Sequence, residues 1–160
     1  MVDVFPDLLK GLWVTIKVSL SIIGIGFPIG LVLAVVRTSE IKIIGKPINA
    51  VIKIYVDIFR ACPYVVLVTF VYFALPFVGI QFNTFWATVV SFSACLSAFA
   101  EEIFRAVIIA IDKGQTEAAR SIGLTHLQTM RYIILPQGVK ISIPTLTNRT
   151  VAITKAISMA

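Results

Sequence analysis

The chain has 160 residues, 58% of them hydrophobic and only 14% charged. A soluble domain carries about a quarter charged residues, so this balance excludes an ordinary soluble core and points to lipid as the solvent. The net charge of +6 lies mainly between apolar blocks and is not interleaved with aromatic residues, so membrane topology accounts for it and no nucleic-acid partner is expected.

The first apolar run covers about residues 12–36 and stops at Arg37. As a helix, its roughly 25 residues reach about 37 Å, enough to cross a bilayer with some tilt. The chain starts with acidic Asp3 and Asp7, and no small-residue cleavage site ends the run. The run is therefore expected to remain as a membrane span and not to be removed as a signal. Gly26 and Gly30 make a small-xxx-small pattern around Pro28, which lets another helix approach closely in lipid.

A second span is expected over about residues 54–75, with Pro63 in its first third and Asp57 and Arg60 spaced to pair on one helix face. The third covers about residues 84–111 and carries Glu101, Glu102 and Arg105 near its far end. Glu102 and Arg105, also three apart, fit either a structural ion pair or a gate near the inner membrane edge. The fourth covers about residues 132–158 and is expected to break at Pro136 and Pro144. The fold class is therefore an all-α integral membrane protein with about four transmembrane helices.

Basic residues set the orientation. Arg37, Lys42, Lys46 and Lys53 lie around the first connection, Lys113, Arg120 and Arg131 around the third, and none lies in residues 76–83. The positive-inside rule puts the first and third connections in the cytoplasm and the N-terminus outside.

The cytoplasmic block, about residues 112–131, has a shape set by local rules. Thr116 is expected to cap a short helix with Glu117 in its first turn, and Ala118, Ala119 and Arg120 favour helix. Gly123 is placed to take a left-handed conformation that closes it. Thr125 and Gln128 form a capping-box pattern that opens a second short helix, which Pro136 disrupts. Ala118, Ala119 and Ile122 offer a low surface suited to a groove on another protein, although a plain surface loop satisfies the same local rules.

Thr147, Thr150, Thr154 and Ser158 recur at spacings of three, four and four, with Asn148 and Lys155 nearby. Such a stripe faces either a water-filled pathway or a neighbouring helix. His126 reads as a solvated loop residue, and Cys62 and Cys95 as buried thiols without metal-type spacing. There is no phosphate-binding loop, no Ser-His-Asp set and no cluster of metal ligands, so no catalysis and no bound cofactor are expected of this chain.

Glu117-Ala118-Ala119, then Gly123, then Ile134-Leu135-Pro136, resembles the EAA loop of ABC-transporter permeases, the membrane subunits of bacterial ATP-driven importers. Tyr55-x-Asp57-x-x-Arg60-Ala61-Cys62-Pro63 is similar to a second family segment, with Asp57 in place of Glu and Ala61-Cys62 in place of Gly-Thr. Glu102-Ile103-Phe104-Arg105, Lys113-Gly114-Gln115 and Gly11-Leu12-x-Val14-Thr15 resemble the polar amino acid subfamily. Departures are Glu101 at a position where the family has a small apolar residue, Ala106-Val107 for Gly-Gly, Arg149 for Glu after Asn148, and Ala156 and Ile157 for Asp and Thr.

The resemblance implies that Glu117 to Gly123 is a coupling helix docking in a cleft of a cytosolic ATPase. Glu117 would steady the loop, Gly123 would permit the turn, and Ala118 and Ala119, with Arg120 in the same set, would let the helix sit deep. It implies a second permease subunit, identical or related, two ATPase subunits that use ATP and magnesium, and an extracytoplasmic binding protein, all at a bacterial inner membrane. The implied cargo is a polar amino acid. An opine, an amine or a sulfur compound remains an alternative, as does a secondary transporter that needs no ATPase. The family pattern also continues through one more span than this chain offers.

Overall fold

The structure, a computed structural model, describes residues 5–38 and 45–158, and every regular element among them is helical. Lys42, counted above among the basic residues of the first connection, lies outside the described residues. Helix α1 (Phe5–Thr38) starts earlier than the apolar run and passes through Pro28 unbroken. Its 34 residues extend about 51 Å, more than the roughly 30 Å hydrocarbon layer of a bilayer. Leu12, Trp13, Leu20 and Val32 point outward and are more than half exposed, a dress that lipid tolerates and water does not.

The expected second span is not one rod. Helix α2 (Gly45–Ala61) ends before Pro63, and a short α3 (Tyr64–Thr69) follows, continued by a π turn (Phe70–Ala74) and a 3-10 turn (Leu75–Val78). The axis bends by 106° between residues 47–61 and 64–78. Pro63 itself is extended (φ −62°, ψ 138°), and its ring bars the preceding residue from helical geometry, which explains the break at Cys62. Gly79 at φ +84° turns the chain, and Asn83 caps helix α4 (Thr84–Ala110) by accepting a hydrogen bond from the Trp86 amide at 2.9 Å. By length and hydropathy α1 qualifies alone as a membrane span and the bent α2–α3 pair qualifies as a broken one; α4 and α7, richer in Ser, Thr and charge, fall short of that measure.

Two short helices, α5 (Lys113–Ser121) and α6 (His126–Thr129), connect α4 to a π turn (Met130–Ile134) and then to α7 (Leu135–Ile157). The breaks expected at Pro136 and Pro144 do not occur, since α7 runs through both. Pro136 stands in the first turn of α7, directly after a π turn, and that wide turn relieves the clash of its ring with the preceding turn. Pro144 lies on an exposed face where the freed carbonyl has room, as lipid-embedded helices often allow.

The framework is the seam between α1 and α4. A Cβ added at Gly26 would lie 2.9 Å from Leu96, and one at Gly30 would lie 2.6 Å from the Ala100 Cβ and 2.8 Å from the Ser97 carbonyl. The small-xxx-small pattern thus serves close helix packing, with the fully buried Ile22 and Ala34 extending it in both directions. α2 joins through Ile52 and Val56 against Ala98, and through the Tyr55 hydroxyl, which donates to the Ala94 carbonyl at 2.9 Å and lies 2.6 Å from Ser97 Oγ. Ile153 of α7 closes the same core beside Ile22, Phe92 and Leu96.

Gly30→Ala is expected to lower the stability of the protein by about 2 kcal/mol through overpacking against α4. Gly24→Ala, with nothing within 4 Å of the new methyl group, is expected to be neutral or to stabilise by up to about 1 kcal/mol. Unfolding of the two variants in mixed micelles checks both, and equal effects would contradict the seam.

Candidate functional site

The block between α4 and α7 has the predicted helix-turn-helix outline with one correction. Thr116 is not the cap. α5 begins three residues earlier, and Asp112 caps it by accepting a hydrogen bond from the Gly114 amide at 2.6 Å. Asp112 wins because α4 ends at Ala110 and leaves only two residues in which to restart; its carboxylate also suits the positive end of the new helix. The C-terminal end agrees with the sequence. Gly123 takes φ +86°, its amide donates to the Arg120 carbonyl at 3.0 Å, and the Leu124 amide donates to the Ala119 carbonyl at 3.1 Å. This paired closure is a Schellman motif. The predicted capping box is present too, with the Gln128 amide donating to Thr125 Oγ1 and the Thr125 amide donating to Gln128 Oε1.

The two alanines part company on α5. Ala119 is only 2% exposed and packs against the chain itself, whereas Glu117, Ala118, Arg120 and Ile122 are exposed. The face open to another protein therefore carries those four residues, with Ala118 as its low point. Arg120 reaches His126, Nη2 to Nδ1 at 3.4 Å, so the turn between α5 and α6 is bridged by side chains as well as by backbone.

At the far end of α4 the expected intrahelical pairs give way to interhelical ones. Glu101 is fully buried and accepts a hydrogen bond from Arg37 of α1 at 2.9 Å, while Arg105 Nε stands 3.7 Å from the same carboxylate oxygen. Glu102 does not pair with Arg105, nor Arg60 with Asp57: Arg60 of α2 pairs with Glu102 across the helix interface. The reason is tertiary. α1 and α2 both bring a basic residue to the C-terminal end of α4, and two adjacent carboxylates point to different neighbours. Asp57 is exposed. Sequence reasoning assigned no partner to Glu101 and counted Arg37 only as a topology signal. An added carboxylate at an apolar family position was the clue to that buried pair.

The polar residues of α7 divide between two faces. Thr147 and Thr150 line an apolar cavity of about 430 Å³ with Phe27, Pro28 and Leu31 of α1 and Phe104 of α4. The hydroxyls of Thr147, Thr150 and Thr154 donate to the carbonyls of Ile143, Leu146 and Thr150, at 2.8, 2.9 and 3.0 Å. Bonded within their own helix, they present methyl groups more than hydroxyls to that cavity. Asn148 turns the other way. With Arg149, Thr145 and Ala152 it lines a cavity of about 320 Å³ against Phe99 and Ile103 of α4. The Arg149 guanidinium lies 3.1 Å from the centre of the Phe99 ring, a cation–π contact, and its buried Nε has no hydrogen-bond partner. No carboxylate pairs with Arg149 among the described residues.

The family described as binding-protein-dependent transport system inner membrane component matches residues 26–160. A probable amino-acid ABC transporter permease of Bacillus subtilis (YckA) is 36% identical over 159 residues, which make up 99% of this chain and 69% of that protein. The arginine transport system permease ArtQ of the same organism is 37% identical over 151 residues, 94% of this chain and 67% of that protein. The crystal structure of an amino acid ABC transporter with histidines superposes with a TM-score of 0.85 at 36% identity, over 99% of this chain and 72% of that one.

Arg37→Met leaves the buried Glu101 without its hydrogen-bonded cation and is expected to cost about 3 kcal/mol of stability. Arg60→Met removes a pair whose members are 37% and 35% exposed and is expected to cost less than about 1 kcal/mol. Denaturant unfolding of the two variants, compared with the unchanged protein, decides between these ranks.

Proposed function

The chain belongs to the family of inner membrane components of binding-protein-dependent transport systems, and on that footing we propose that it is the permease subunit of an ATP-binding cassette importer that carries a polar amino acid inward. The observation that carries the reading is α5: a capped, Schellman-closed helix joined by two residues to the inner end of α4 and presenting Glu117, Ala118, Arg120 and Ile122 outward. Because both ends are fixed, a push on α5 passes to α4 without melting the helix first.

In this reading α5 docks in a cleft of a cytosolic ATPase, two such ATPases hydrolyse ATP with magnesium, and this chain binds neither. A second permease, identical or related, completes the pathway, and an extracytoplasmic protein delivers cargo. Four crossings with the N-terminus outside accommodate α1, the bent α2–α3 pair, α4 and α7, and leave α5 in the cytoplasm. Alternating access follows when the ATPases close and draw the two α5 helices together. The cavity under Arg149 supports a cargo with a carboxylate. Arg149 and Asn148 line it together, no acidic residue does, and an ionisable group at membrane depth marks a pathway more often than a packing site. The similarity to a permease of an arginine system supports an amino acid in general.

Gly123→Val puts a β-branched residue at φ +86° and is expected to reduce ATPase co-purification about tenfold, the equivalent of ~1.4 kcal/mol of docking energy. Amino-acid uptake by the reconstituted complex is expected to fall with it. A variant that still transports after losing the ATPase would mark an ATPase-independent transporter instead.

A further inference from the structure

The turn between α4 and α7 encloses a cavity of about 240 Å³, separate from the Arg149 groove. Its polar wall is a stripe on one face of α5: Lys113, Thr116 and Arg120, spaced three and four apart, all line it. His126 of α6 lines it from the other side of the turn, and Ile108, Ile109 and Ile111 around the end of α4 supply an apolar wall. Ala118, the low point of the outward face of α5, lies about 140° around the helix from Lys113. Docking of a partner on Ala118 therefore leaves the cavity open.

Several of the lining donors are unused. Lys113 makes no ion pair among the described residues, not even with Glu117 four residues on. Thr116, expected from the sequence to cap α5, yields that role to Asp112, and its hydroxyl makes no hydrogen bond among the described residues. His126, expected as a solvated loop residue, is half-buried. A guanidinium only donates, so the 3.4 Å contact from Arg120 Nη2 makes His126 Nδ1 the acceptor and puts the ring hydrogen on Nε2. That Nε2 is buried and has no hydrogen-bond partner.

No carboxylate lines the cavity among the described residues. Asp112, beside Lys113 in the chain, accepts from the Gly114 amide and is not in the lining. Two cations, a free hydroxyl and an imidazole around one space, with no acid to answer them, suit an anion with several acceptor oxygens. A carboxylate is flat and offers two, whereas a phosphate group offers oxygens in more than one plane, matching donors that come from both α5 and α6. We propose that this cavity is a phosphate site, with Lys113, Thr116 and Arg120 donating to the phosphate oxygens and His126 bordering them. The headgroup of an anionic phospholipid and a free phosphate ion offer the same chemistry, and the apolar wall has room for the ester carbons of the former. Either ligand ties α5 to α6 across the Gly123 turn. The inference goes beyond the transport reading and does not depend on its cargo or direction.

Calorimetric titration of the full chain in neutral detergent, free of any ATPase with phosphate sites of its own, tests the site with two probes: inorganic phosphate and short-chain phosphatidylglycerol. Lys113→Gln is expected to weaken binding about tenfold, the equivalent of ~1.4 kcal/mol, and Lys113→Arg to restore it. Thr116→Val is expected to weaken it about threefold. Arg131→Gln removes an exposed cation that stacks beside Tyr132 outside the cavity and is expected to change nothing. Tighter binding of phosphatidylglycerol than of phosphate identifies the lipid headgroup as the ligand, and equal or weaker binding identifies free phosphate; both support the site. Failure of the unchanged protein to bind either probe would overturn the proposal. So would a loss in Arg131→Gln as large as that in Lys113→Gln, since binding would then follow diffuse surface charge and not the cavity.

Discussion

Close approach of α1 and α4 is the constraint on which the other elements depend. Gly26 and Gly30 remove the side chains that would hold the two backbones apart, and Ala100 and the Ser97 carbonyl fill the space so released. In lipid no hydrophobic force drives helices together, so this contact surface supplies the association. The seam then fixes where everything else can sit. It places Arg37 opposite Glu101, leaves the far face of α4 open for α2, and creates the core that Ile153 of α7 completes.

Placed this way, α4 is the hub on which α1, α2 and α7 all pack. Its first half carries serines and small residues that let neighbours pack closely, and its C-terminal half carries the charges. Ser91 bonds to the Ala87 carbonyl, and Ser97 to the Ala94 carbonyl, so their polarity is answered within the helix. Glu101 and Glu102 are answered by other helices. A close seam on one side and a lighter, more exposed contact on the other give the C-terminal end of α4 an asymmetric support. α5 hangs from that end after only two residues, so the element proposed to meet the ATPase is joined directly to α4.

The bent second segment has a physical cause as local as the seam. Pro63 excludes Cys62 from helix, and the π turn that follows loosens the winding before Pro76. The same pairing of a π turn with a later proline recurs before Pro136, where the outcome is a continuous α7 and not a break. One residue type thus bends one helix and passes through another, because Pro63 follows a helix end whereas Pro136 follows a π turn whose wide winding accommodates its ring.

Short-range rules were enough for the features whose partners lie within one turn of chain. The glycine turn at Gly123, the capping box at Thr125 and Gln128, the close-packing face at Gly26 and Gly30, and the bounds of α4 were all legible in the sequence. The cap of α5 was misplaced by a few residues, because Asp112 and Thr116 are both good caps and only the end of α4 chooses between them. The charge partners were not legible. Spacing of three along a helix offers Glu102 to Arg105 and Asp57 to Arg60, but it says nothing of a guanidinium arriving from another helix at lower cost in burial. The polar stripe of α7 was legible as a spacing and silent as to direction: helix packing turns Thr147 and Thr150 toward α1 and Asn148 and Arg149 toward α4. Sequence alone determined the bounds of α4 and the turns at Gly123 and Thr125, since backbone hydrogen bonding and apolar patterning are local, but not the bend at Pro63 or the unbroken passage of α7 through two prolines. Tertiary structure decided which charges meet and what each polar face lines, since those follow from helices brought together across long stretches of chain.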